Sequence, residues 1–249
     1  MTTPETPRRF TLGYVPGVTP AKWVRIWKER LPQVPLDLVA LDVADTAGAV
    51  ASDAADITIT RLPDALAYGD PGPHHTISLY EETTVAVLPK DHGLTAGDEL
   101  TFADVADEPF LWPLDEPLVV PDRPGTAVQH QPDTVADAVE LVAAGIGLLL
   151  VPQSLARLHH RKDLVYRPVA DAPTSTVGLL WSAPTSELCD EFIGIVRGRK
   201  ATSSRGGSEP APKRSAKEKA AAKRANREAA GKIPGKGKGG SARRRRPSR

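Results

Sequence analysis

An α/β body with doubly wound mixed sheets, followed by a disordered basic tail, is expected from this chain of 249 residues. Strands and helices alternate over the first sixty residues, the pattern of a parallel sheet with helical crossovers. Charge is segregated although the formal net charge is only +1. Residues 199–249 hold 18 Lys and Arg against 3 Asp and Glu, leaving 14 and 28 for residues 1–198. All 12 aromatic residues lie in that acidic part, so only it can build a core.

Residues 1–9 read as a disordered lead-in. Phe10–Val15 alternates apolar residues as a strand does. The turn Pro16-Gly17-Val18 leads to Thr19, a candidate N-cap, with Pro20 at the first helical position. Trp23, Ile26, Trp27 and Leu31 then share one helix face, and Pro32 ends the helix. Leu36–Leu41 is largely apolar, as in a strand buried on both faces. Asp45 or Thr46 opens a short helix to about Ser52, and Asp56–Thr60 is a strand ending at Arg61.

Ile77–Leu79 and Thr83–Leu88 are further strands, followed by a polar turn at Asp91–Leu94. Phe102–Ala106 is expected as a short helix, and Phe110–Trp112 as a short strand. The proline-rich stretch 113–125 is an extended connector. Asp133 is a candidate N-cap for a helix whose apolar face carries Val135, Ala138, Val139, Leu141 and Val142. Gly145 stands where a left-handed helix end belongs. Ile146–Val151 is a buried strand stopped by Pro152. A helix at Gln153–His160, strands at Val165–Pro168 and Val177–Trp181, and a helix at Glu187–Arg197 complete the body. The tail cannot bury enough surface to offset its ordering entropy. Its one ordered piece is a marginal helix over 215–230.

Composition narrows the function. No stretch reaches the roughly 20 apolar residues of a membrane span, and no apolar run follows the first residues, so no secretory signal is expected. One cysteine, Cys189, excludes an internal disulfide framework. These features point to the cytoplasm and to no membrane partner. No phosphate loop, nucleophile elbow or His-Glu-x-x-His motif is present, and no cofactor is expected. Adjacent histidines point apart, so His74-His75 and His159-His160 are expected on the surface and no metal site is expected.

The order of segments resembles the effector-binding domain of LysR-type transcription regulators. Thr11-Leu-Gly-Tyr-Val-Pro16, Lys28-Glu-Arg-Leu-Pro32, Val34-Pro-Leu-Asp-Leu-Val39 and Asp56-Ile-Thr-Ile-Thr60 carry the likeness first. Thr83-Thr-Val-Ala-Val-Leu-Pro-Lys-Asp-His92 and Phe102-Ala-Asp-Val-Ala-Asp-Glu-Pro109 follow. Glu140-Leu-Val-Ala-Ala-Gly-Ile-Gly-Leu-Leu-Leu-Val-Pro152 is the most specific in residues and spacing. The resemblance covers about 10–198. It implies a type 2 periplasmic-binding-protein-like fold, with lobe I at 10–87 and 170–198, lobe II at 88–169, and a small effector between them. Regulators of this kind begin with a winged helix-turn-helix. None precedes the first strand here, so base reading by that route is not expected from these residues.

Arg61 is the first candidate for the ligand site, because a guanidinium at a strand end holds a carboxylate by two parallel hydrogen bonds. The bland alternative pairs it with Asp64. The turn Pro16, Gly17, Val18 and Thr19 offers backbone donors at a helix start, and Thr60 is a weaker candidate. From lobe II come Asp133 and Thr134 at a helix start, and Trp112 as a stacking surface or a core residue. The expected ligand is a small anionic metabolite, and a homodimer could transmit lobe closure. The expected nucleic-acid contacts are Lys213, Arg214, Lys217, Lys219, Lys223, Arg224, Arg227, Lys236, Lys238, Arg243, Arg244, Arg245 and Arg246. They would bind DNA or RNA by counterion release, without sequence preference. A binding module is therefore favoured over an enzyme. The alternatives are an enzyme for a small organic acid on the same fold, or a nucleic-acid or ribosome-associated protein with a degenerate effector domain.

Overall fold

The computed structural model describes residues 9–62 and 74–199. Lead-in residues 1–8, Asp64, the expected helix over 215–230 and all the tail cations lie outside the described residues.

The first sheet contains β1 (Phe10–Tyr14), β2 (Leu36–Ala40), β3 (Ile57–Leu62), β4 (His74–Glu82) and β10 (Ser175–Ser182), in the order β2-β1-β3-β10-β4. The second contains β5 (Thr84–Pro89), β6 (Pro109–Leu111), β7 (Thr126–Ala127), β8 (Leu148–Pro152) and β9 (Leu164–Pro168), in the order β7-β6-β8-β5-β9. Both are mixed. β1 runs parallel to β2 and β3, while β10 is antiparallel to β3 and β4. β5 is antiparallel to β8 and β9. The chain enters the second sheet at Thr83, so β5 belongs there rather than with residues 10–82, and lobe I ends earlier than the expected position 87.

Helices α1 (Ala21–Arg30), α2 (Thr46–Ala51), α3 (Val135–Ala143), α4 (Gln153–Leu158) and α5 (Glu187–Val196) are described. α1 covers the first sheet. Its Trp27 ring stacks on Phe10 at 4.4 Å, and Trp27 Nε1 donates to Val34 O at 3.0 Å. Phe192 of α5 closes the same cluster. Val135, Val139 and Val142 of α3 pack on one face of the second sheet, while Phe110, Trp112 and Leu118 fill the other.

Several local expectations need correction. The residue preceding α1 is Pro20, which makes no side-chain cap, and Thr19 is exposed. Pro20 O accepts from the N–H groups of Trp23 and Val24 in the first turn of the helix. α3 is capped by Thr134, not Asp133: the Thr134 hydroxyl accepts from Asp137 N at 3.1 Å. β2 is an edge strand with Leu38 and Val39 exposed, not a strand buried on both faces. Residues 102–107 form turns rather than a helix. There the Asp104 carboxylate accepts from Thr101 N and Oγ1 at 2.8 and 2.7 Å, a local bonding pattern that competes with helix.

Candidate functional site: the cleft between the sheets

Arg61 lies near the end of β3, and its side chain is only 3% exposed. A buried guanidinium requires a full set of partners. Nε donates to Glu82 Oε2 at 3.0 Å, Nη1 to Pro16 O at 2.9 Å, and Nη2 to Ser154 Oγ at 2.9 Å. One side chain thus ties together the end of β4, the turn after β1 and the start of α4. Among the described residues its ion-pair partner is Glu82, and Asp64 lies outside them. Gly17 lets the turn come this close: its φ is +84°, and a Cβ there would meet Ser154 Oγ at 2.7 Å and Arg61 Nη2 at 3.0 Å.

Beside Arg61 opens a cavity of about 290 Å³ with walls from both sheets. Pro16, Asp42, Val43 and Arg61 line it from the first. Asp115, Pro117, Thr134, Val135, Ala136, Leu155, Leu158 and His159 line it from the second. A smaller hollow of about 110 Å³ shares Val43, Arg61 and Pro117 with it and adds Glu116 and Thr174–Thr176. The start of α3 faces the cavity with the N–H groups of Val135 and Asp137 engaged. Asp115 Oδ1 accepts from Val135 N at 2.7 Å, beside the Thr134 cap.

The electrostatics are acidic. Burial pushes the Asp115 carboxyl above its ordinary range, and the Asp42 carboxylate raises it further. Burial also raises Glu116, against the opposing pull of Arg123. Arg123 bonds Glu116 Oε2 and lies 4.4 Å over the Trp112 ring.

Of the expected ligand residues, Pro16, Arg61 and Thr134 line this cavity. Val18 and Thr19 instead line an outer groove of about 710 Å³ between α1 and β2. Gly17 packs behind the wall against Ser154. Thr60 is buried, its hydroxyl 3.3 Å from that of Thr46. Trp112 is a core residue stacked on Phe110, and exposed Asp133 is absent from the cavity wall. Arg61 does not present a free guanidinium, since Glu82 holds it. Asp42, Asp115 and Ser154 escaped the sequence reading, and His159, expected at the surface, lines the cavity. Asp42 follows β2 and could have been found from the rule that ligands gather beyond the carboxyl ends of strands. Asp115 lies in the proline-rich connector, where no periodicity marks it. Cys189 packs in the first core, with Sγ donating to Asp56 O at 3.3 Å, and burial pushes its thiol up.

The family profile described as the LysR substrate binding domain matches residues 6–201. The HTH-type transcriptional regulator CatR of Pseudomonas putida is 37% identical over 113 residues, 41% of this chain and 38% of that protein. The Hca operon transcriptional activator HcaR of Escherichia coli is 23% identical over 210 residues, 78% of this chain and 69% of that protein. The chain thus spans well under half of the first regulator and about two thirds of the second. Among solved structures, the BenM effector binding domain with its effector benzoate superposes with a TM-score of 0.62 at 18% identity. That match covers 78% of this chain and 92% of the other. The oxidised form of OxyR gives 0.62 at 20% identity, covering 77% and 95%. At these identities the shared feature is the fold.

Proposed function

Because the chain belongs to the LysR substrate binding domain family, we propose that its body is a regulatory module that closes on a small-molecule effector between the two sheets. The observation that carries this reading is the 290 Å³ cavity with walls from both sheets. A ligand touching both walls binds the closed arrangement better than the open one, and so shifts the population between them. A homodimer face would pass that shift on, in the cytoplasm. The basic residues after 199 would supply sequence-independent contact with DNA or RNA.

For the ligand's charge, the sequence suggests an acid held by Arg61 and the Pro16–Thr19 turn, and the effector bound by the BenM domain is benzoate. In this chain an acid would have to compete with Glu82 for the guanidinium. An enzyme for a small organic acid would rely on Asp133 as its general base, and Asp133 is not among the residues lining the cavity.

The test is thermal unfolding of the full chain against a panel of small acids, amines and neutral ring compounds. A true effector at a hundred times its Kd stabilises by about 2.7 kcal/mol. Ala136→Trp, which fills the cavity from α3, should abolish that gain. A ligand that stabilises the variant as well as the parent binds elsewhere, and the cleft reading then fails.

A further inference from the structure

We infer that the cleft is built for an effector with an apolar body and a cationic or hydrogen-bond-donating end, directed at Asp42 and Asp115. The inference rests on the effector-cleft reading above and adds the chemical class of the ligand.

The charges around the cleft can be paired off. Arg61 bonds Glu82, and Arg123 bonds Glu116. Asp42 from the first sheet's side and Asp115 from the second remain, and no cationic side chain forms an ion pair with either among the described residues. The two carboxylates line the same cavity. His159 is the remaining titratable group of the wall.

The chain's own carboxylates already hold part of each feature that would receive an acid. Glu82 sits on the Nε edge of Arg61, and Asp115 on the Val135 N–H that opens α3. An incoming carboxylate would meet these carboxylates and Asp42 at close range, and like charges so placed repel. Acceptors, by contrast, are available. In the adjoining hollow Glu116 Oε1 is buried with no hydrogen-bond partner among the described residues, a costly state that a donor would relieve. Val43, Pro117, Val135 and Leu155 provide apolar wall for the remainder of the ligand. No group of three or more His, Cys, Asp or Glu among the described residues converges as metal ligands would, so the donor is an organic group rather than a bare metal ion.

Calorimetric titration of the full chain with benzamidine and with benzoate tests this with one ring carrying opposite charges. Benzamidine should bind at least about tenfold more tightly, a margin of about 1.4 kcal/mol. Asp115→Asn keeps an acceptor for Val135 N–H but loses the charge, and Asp42→Asn alters an exposed side chain. Each should weaken benzamidine severalfold and leave benzoate unweakened. Tighter binding of benzoate, lost in Ala136→Trp, would overturn the inference while leaving the cleft as the effector site. Benzamidine binding that persists in Ala136→Trp would overturn both. Binding of neither compound at millimolar concentration also refutes the donor preference.

Discussion

Arg61 carries its charge where water scarcely reaches, so its environment decides whether the body folds. Removing one member of a buried ion pair costs about 3–5 kcal/mol, because the other is left uncompensated. Glu82→Gln keeps the shape and loses the charge, so it should lower the free energy of unfolding by an amount in that range. Urea denaturation measures it, and a loss below ~1 kcal/mol would mean that the pair behaves as a solvated one. The position of Arg61 was legible in the sequence: the strand read over Asp56–Thr60 ends there, and the residue does border the cavity. Its partner was not. Glu82 lies 21 residues away, at the end of a strand of which only Ile77–Leu79 carried an apolar signal. The caps were misread for a similar reason. Asp133 and Thr134 are adjacent and both suited to capping, and only the geometry selects the residue whose oxygen reaches Asp137 N.

At the scale of elements, β10 holds the first sheet together by pairing with β3 on one side and β4 on the other. Gly178 sits at a register shift in this strand, where a Cβ would meet Ile77 O at 2.6 Å and Leu62 Cδ1 at 2.4 Å. Backbone oxygen in a paired strand cannot retreat as a side chain can. Gly178→Ala should therefore destabilise by about 1–3 kcal/mol, the range of overpacked cores. An unchanged thermal midpoint would show that the sheet yields at this point without cost. Most elements were legible because an apolar run or a helical stripe fixes each one locally. The exceptions depend on neighbours. β2 reads as buried from its composition, but its place at the sheet edge is set by chain topology. Residues 102–107 have helical spacing, yet Asp104 and Thr101 satisfy each other first.

The whole molecule is acidic through residue 198 and basic beyond it. If the basic segment contacts nucleic acid by releasing counterions, the full chain should retard duplex DNA in a gel, and the affinity should fall steeply with salt. Residues 1–198 alone should not retard it. Equal retardation by the two would place nucleic-acid contact in the body. This division was legible from charge counts alone, because composition needs no fold. The cavity's acidity was not, since Asp42 and Asp115 come from distant segments that only the two-sheet arrangement brings to one gap.

The bond from Arg61 to Ser154 joins the two bodies immediately beside a place where the chain passes between them, for Gln153 N donates to Thr83 O at 2.9 Å. A fastening set so near the pivot has little leverage. If effector entry parts the walls at Asp42 and Asp115, this pin can stay engaged, and the most deeply buried charge among the described residues stays covered.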